Sequence, residues 1–309
     1  MATRPSTGAG EILDVQLRPY LRVARLPFLA LPVTLVVLGV TAAARDGSIV
    51  PVRSLLALIG LLAAHVAVNA LNEASDYERG IDQRTDPTPF SGGSGALPDG
   101  ELQPGDARRF AYLAAGVAAG VGVYFLATVG PAVVPLLVAG AVFAIGYTDV
   151  FARVALGEVV AGLGLGGLPV LGVALVQDGA VGPTAVAVTV PASLLTAALL
   201  LLNEFPDEHA DRTGGRRNVV LVFGRRRAAW TYVLVALAVP ASLLGLVALG
   251  RLPTWALLGV VPSLLLARPL SWALYRPEQS VPVERLRDNV AWILGTNLAV
   301  AIGIAAAGM

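Results

Sequence analysis

Long apolar runs alternate with short, charged connections along the whole chain. Nine such runs can be drawn, approximately Pro27–Ala44, Val52–Asp76, Ala107–Thr128, Ala132–Tyr147, Leu156–Val176, Thr184–Phe205, Arg227–Leu249, Thr254–Tyr275 and Asn289–Ala307. A helix needs about 20 residues to cross the hydrocarbon core of a bilayer, and most of these runs suffice. The fourth is short. All are continuous and rich in Leu, Ala, Val and Gly, without the period-two alternation of a membrane β-strand. The pattern predicts an all-α polytopic membrane protein, with nine transmembrane helices in a single bundle around a central cavity. Residues 1–309 read as one domain, with 1–20 as an exposed N-terminal tail. That tail contains Glu11 and Asp14 and has no apolar centre, so it does not resemble a cleaved signal peptide.

Composition sharpens this picture. The chain is 56% hydrophobic and 14% charged, with a mean hydropathy of +0.72. Soluble domains carry about 25% charged residues, so most of this surface must face lipid. There is no cysteine, which excludes disulfides, thiolate metal sites and a thiol nucleophile. All 22 basic residues are arginine, and only Arg45, Arg53 and Arg251 fall on one side of the nine-helix plan. The positive-inside bias then puts the N-terminus and the Arg-rich connections in the cytoplasm of a cell (inner) membrane. An odd helix count leaves the C-terminus outside. The lipid bilayer is therefore one expected partner, and nucleic acid is not.

Two connections have unusual chemistry. NALNEASDYERGIDQRTDP, beginning at Asn69, ends the second run, and NEFPDEHADRTGGRRN, beginning at Asn203, ends the sixth. Asn69, Asn72 and Asp76 are spaced i, i+3, i+7 and share one helix face. Gly80 then lets the chain turn, so that Asp82 can fold back toward Asp76. Asn203, Asp207 and Asp211 repeat at i, i+4, i+8, where Pro206 is expected to distort the turn. An ionised Asp in a membrane helix costs roughly 2.5–3.5 kcal/mol on insertion scales, so clustered acids at paired helix ends call for a cation. Oxygen ligands without Cys suit Mg²⁺ rather than Zn²⁺, and Mg²⁺ keeps coordination positions for substrate phosphates. Arg79 and Arg84 follow the first cluster and Arg212, Arg216 and Arg217 the second; guanidinium forks match phosphate oxygens. The loop Thr88–Gly95, which contains Ser91, offers backbone N–H groups for an anion-binding nest. Any one of these charges alone would be a solvated anchor. The recurrence of Asn-x-x-x-Asp, on the same side and each time followed by an acid and a basic loop, sets the pair apart.

Other residues have plainer readings. Gly162, Gly164, Gly166 and Gly167 lie inside an apolar run with no preceding strand, so they imply close helix packing and not a dinucleotide fingerprint. His65 reads as a hydrogen-bonded core residue and His209 as a solvent-facing one. Trp230, Trp255, Trp272 and Trp292 read as interfacial anchors or packing groups.

The two acidic stretches resemble the paired aspartate-rich motifs of the UbiA superfamily of intramembrane prenyltransferases. NALNEASDYERGIDQRT is similar to the first motif and NEFPDEHADRTGGRRNVVLVFG to the second. The helix plan, the Tyr147-Thr148 pair and Gly157-Glu158 fit the same family. The separation of Asn72 and Asp82 resembles the menaquinone-type branch, which prenylates dihydroxynaphthoate. Two features depart from the family: TDVFARVALGE is short and lacks paired prolines, and Glu73 replaces a common Asp.

The resemblance implies an allylic isoprenyl diphosphate as donor and a hydrophobic or aromatic acceptor. It implies two Mg²⁺ ions held by Asp76, Asp82, Asp207 and Asp211, with Asn72 and Asn203 assisting. Arg25, Arg79, Arg84, Arg153, Arg217 and Ser91 become candidates for binding the diphosphate, and Tyr147 and Glu158 for the acceptor side. Glu158 reads equally as a helix cap in a first turn. A terpene cyclase on the same fold would ionise the same diphosphate without an acceptor. An ion-coupled transporter is disfavoured because its polar groups would sit near the membrane midplane.

Overall fold

The computed structural model describes residues 17–85, 88–149 and 157–308, and between 144 and 149 the backbone alone. The described chain is helical, with no strand among these residues. Its long helices are α1 (Leu26–Asp46), α2 (Pro51–Glu78), α3 (Pro104–Val129), α4 (Val134–Asp149), α5 (Gly157–Asp178), α6 (Pro183–Thr213), α7 (Arg225–Ala248), α8 (Thr254–Tyr275) and α9 (Val283–Ala306). Eight of them are long and apolar enough to cross a membrane; α4, with 16 residues, falls below that length. Proline at the first turn starts α2, α3 and α6, where the missing N–H has no partner to lose.

Hydrogen bonds mark two ends of the bundle. At one end Arg53 donates to the carbonyls of Gln177 and Thr128, and Asp46 accepts from the Thr184 N–H and hydroxyl. At the other, Arg225 joins Glu208 on α6 to the carbonyls of Pro277 and Gln279, and Arg22 binds Asp99 and Glu101. Both acidic stretches lie at this second end.

The largest apolar core joins α1, α5, α6, α7, α8 and α9 through residues such as Leu35, Leu195, Leu202, Tyr232 and Trp292. A smaller cluster under the acidic end packs Val23, Ala70, Ala74, Leu97 and Ala107. Tyr20 stacks edge-on against Phe110 at 5.3 Å, and residues 17–23 form a helical turn. The end of the expected tail is therefore tied down. The Gly162–Gly167 stretch forms a π-turn within α5 and packs on α6, as the small-residue reading required. Pro206 does not break α6, which runs unbroken from Pro183 to Thr213; membrane helices tolerate such an interior proline.

Candidate functional site

α2 and α6 each end in a polar turn, and the fold brings those two turns together. Asp76 lies in the last turn of α2. A bend at Gly80, with φ 71°, carries the chain into the short turn Asp82–Arg84 and buries Asp82. Asn203, Asp207 and Asp211 descend one face of α6, as their spacing requires. Arg216 joins the halves: it donates to both Asp76 carboxylate oxygens at 2.7 and 2.5 Å, and its Nη1 stands 3.4 Å from Asp211 Oδ1. The longer contact is an ion pair and does not meet hydrogen-bond geometry. Asn218 donates to Asp211 at 2.9 Å, while its own Oδ1 caps the short helix Val219–Phe223 by accepting from Leu221 N–H.

The Thr88–Gly95 loop lies between the motifs. Gly92 N–H donates to Asp207 Oδ2 at 3.2 Å, and Arg25 holds the Gly92 carbonyl at 2.6 Å. A Cβ built on Gly93 would lie 2.6 Å from Asp82 Cγ, so only glycine allows the backbone this close. The expected nest is largely occupied by the protein's own groups. Phe90 and Ser91 N–H bind Thr88 Oγ1, and Ser94 N–H binds Glu73. The Ser91 hydroxyl is buried against Thr88 Oγ1 at 2.8 Å, which ties it to loop structure.

A polar cavity enclosing about 400 Å³ of empty space, counted to its open mouth, is lined by Asn203, Glu204, Asp207, Asp211, Arg217 and Asn218 among others. A second, apolar cavity is lined by Pro27, Phe28, Leu31, Phe90, Leu199 and Ile293. Phe28 stacks under Arg25 at 4.4 Å, and Phe90 is two residues from Gly92, so this cavity adjoins the polar site.

The expected residues are distributed unevenly around this site. Asn72 is half-buried one turn before Asp76. Arg79 caps the end of α2, and Arg84 is exposed on the turn. Arg153 and the Tyr147 side chain lie outside what the structure describes. Glu158 is buried and accepts Val219 N–H at 2.6 Å, so it acts as a cap on the short helix after the second motif. His65 is buried with Nδ1 on the Leu61 carbonyl at 3.0 Å, and His209 is exposed. Trp272 and Trp292 are core residues, whereas Trp230 and Trp255 are exposed. Sequence reasoning marked Arg216 only as a phosphate-matching base and not as a tie between the two motifs, and it gave no role to Asn218 or Glu204. For Asn218 a signal existed, since Asn before an apolar run is a helix-start pattern.

Whether a divalent ion fits can be judged from the buried oxygens. Asp82 Oδ2, Asn203 Oδ1, Asp207 Oδ1 and Asp211 Oδ1 are all buried without a hydrogen bond. Buried oxygens of this kind ordinarily find a partner, and an all-oxygen set suits a hard cation. Among the described residues no three acids stand close enough to hold an ion as they are; the Arg216 guanidinium supplies the positive charge between Asp76 and Asp211. The chemistry of these unpartnered oxygens, all carboxylate or amide, suits Mg²⁺.

The structure is thus a bundle of helices long enough to cross a membrane, with two acid-bearing helix ends meeting beside an apolar cavity. The chain belongs to the UbiA prenyltransferase family, whose sequence pattern matches residues 30–303. It is 27% identical over 209 residues to the 1,4-dihydroxy-2-naphthoate octaprenyltransferase of Bacillus subtilis (strain 168), covering 64% of this chain and 63% of that protein. Its fold is similar to that of a digeranylgeranylglyceryl phosphate synthase (TM-score 0.64, 15% identity, 94% of this chain and 99% of the other). It also resembles a UbiA homologue from Archaeoglobus fulgidus bound to GPP and Mg²⁺ (TM-score 0.63, 15% identity, 93% and 99%).

Proposed function

We propose that this chain is a Mg²⁺-dependent intramembrane prenyltransferase that moves an isoprenyl group from an allylic diphosphate to an aromatic acceptor of the quinone-precursor type. The observation that carries this reading is the joining of Asp76 to Asp211 through Arg216, with Gly92 and Gly93 set between Asp82 and Asp207. Asp76, Asp82, Asp207 and Asp211 would hold two Mg²⁺ ions, with Asn72 and Asn203 alongside. When bound, the metal supplies positive charge that stabilises the departing pyrophosphate. Arg25 and Arg217 add fixed positive charge at the mouth of the site. Arg216 exchanges its carboxylate partners for phosphate oxygens, which suit its planar fork equally well.

The hydrocarbon chain of the donor runs into the cavity of Phe28, Leu31, Phe90 and Ile293, whose apolar walls exclude water. The allylic C–O bond breaks with its electron pair going to pyrophosphate. The acceptor carbon then bonds to the allylic cation, and its proton passes to the released pyrophosphate as the base. The A. fulgidus homologue bound to GPP and Mg²⁺ and the dihydroxynaphthoate-related B. subtilis relative support this donor and acceptor chemistry. The 16-residue α4 begins at the end marked by Thr128 and α5 begins at the end marked by Glu158, which supports a ninth crossing. Both motifs are then cytoplasmic, around one central cavity.

Asp76→Asn tests the reading. Turnover of geranylgeranyl diphosphate with dihydroxynaphthoate and Mg²⁺ is expected to fall about 100-fold or more, the scale of removing a group that stabilises developing charge. Unchanged turnover would overturn the assignment. Incubation with the diphosphate alone is expected to leave no cyclic hydrocarbon; if one forms, the chain is a cyclase on the same scaffold.

A further inference from the structure

Glu73 lies three residues before Asp76, yet its carboxylate is already engaged. It is 2% exposed, and both oxygens are taken by one residue. Ser94 N–H donates to Oε1 at 2.6 Å, and the Ser94 hydroxyl donates to Oε2 at 2.7 Å. The Ser94 hydroxyl oxygen in turn accepts Ala96 N–H at 3.2 Å.

The segment held in this way, Ser91–Gly95, is gripped along both of its polar edges. Carboxylates hold its N–H groups, Asp207 at Gly92 and Glu73 at Ser94. Guanidiniums hold its carbonyls, Arg25 at Gly92 and Arg22 at Ser94. Arg25 is the only non-glycine residue with positive φ among those described (φ 55°, ψ 57°). Such strain persists only where surrounding contacts enforce it. Asn69 on α2 enforces it from below by donating to the Ala24 carbonyl at 2.9 Å. Gly92 and Gly93 have no side chains of their own to order this backbone, so its position depends on the anchors at either side.

We propose that Glu73 is a positioning residue. By clamping Ser94 it sets the Gly92–Gly93 backbone between Asp82 and Asp207, and so sets the affinity of the site for the diphosphate end of the donor. The inference rests on the prenyltransferase reading above. A carboxylate committed to Ser94 through both oxygens is not part of the metal shell. Glutamate rather than aspartate is required here because the side chain must span from α2 to the loop.

The experiment compares Glu73→Gln, Glu73→Ala, Glu73→Asp and Ser94→Ala in the full chain. Calorimetric binding of inorganic pyrophosphate with Mg²⁺ is read alongside KM, kcat and the Mg²⁺ half-saturation. Glutamine can accept from Ser94 N–H through Oε1 and donate to Oγ through its amide, so it should stay within about 3-fold of the parent in every quantity. Alanine should raise the pyrophosphate Kd and the diphosphate KM about 10-fold or more, the usual effect of losing a group that orients a ligand shell. Its kcat, and its Mg²⁺ half-saturation at saturating diphosphate, should be unmoved. Aspartate, one methylene short, should follow alanine, and Ser94→Ala should fall between.

If glutamine fails as alanine does and the Mg²⁺ half-saturation shifts, Glu73 is a metal ligand and the inference is wrong. It is equally wrong if alanine binds pyrophosphate as the parent does. Should Glu73→Ala not fold, Glu73→Asp and Ser94→Ala decide on the same readouts. Failure of the parent reading shows separately, as an Asp76→Asn variant that still turns over.

Discussion

Asp82 is the acid of the site outside the membrane spans, and burial is the first reason its pKa is pushed up to about 8 from 3.8. The charges of Glu73 and Asp76 raise it further, while Arg25 and Arg216 oppose them. An acid whose pKa is higher in the folded than in the unfolded chain binds its proton more tightly when folded. Its contribution to stability is full below the ordinary aspartate range and is lost as pH rises through about 8. The thermal midpoint in EDTA should therefore fall between pH 5 and about 8, and Asp82→Asn should make that slope shallower. Mg²⁺ must displace the same proton. Its apparent affinity, measured calorimetrically in buffers of different ionisation enthalpy, should rise with pH with net proton release. The sequence identified Asp82 as a site acid because it follows Asp76 across a glycine turn. Its shifted pKa was not legible there, because that comes from groups contributed by three separate segments.

Helix α5 departs from regular geometry where its glycines meet α6. A Cβ on Gly166 would lie 2.6 Å from both the Ala192 carbonyl oxygen and Thr196 Oγ1, and one on Gly162 would lie 2.8 Å from the Ser193 carbonyl oxygen. Backbone oxygens cannot step aside as a flexible side chain can. Gly166→Val should therefore destabilise by about 1–3 kcal/mol, the usual scale of overpacking. In detergent that is several degrees of thermal midpoint, about 2–4 °C per kcal/mol for a chain somewhat smaller than this one. Gly172→Val, with nothing within 4 Å of the new Cβ, is the control and should change little. Run lengths and glycine spacing showed that these helices exist and pack closely. The unbroken course of α6 through Pro206 was not visible, because a proline breaks or bends a helix according to neighbours far away in sequence.

The absence of cysteine makes the orientation of the whole molecule directly measurable. Single cysteines at Arg109 and Arg251, both exposed at opposite ends of the bundle, give distinct labelling outcomes. Arg109→Cys should react with a membrane-impermeant maleimide only from the cytoplasmic side, and Arg251→Cys only from outside; the reverse result would invert the proposed topology. Arg216→Gln tests the tie between the two halves. In EDTA its thermal midpoint should fall below that of the parent, and saturating Mg²⁺ with pyrophosphate should recover it, since a ligand at about 1,000 times its Kd adds about 4 kcal/mol. Composition and run length were enough to establish a helical membrane protein, because hydrophobicity and the need to satisfy every backbone group in lipid leave few other forms. Local spacing was enough to single out Asp76, Asp82, Asp207 and Asp211 as candidates, because helix periodicity is a short-range property. That Arg216 joins the two clusters, and that Glu73 turns to Ser94, depended on contacts between residues 140 and 21 positions apart. Such contacts exist only once the helices have packed, and no periodicity along the chain encodes them.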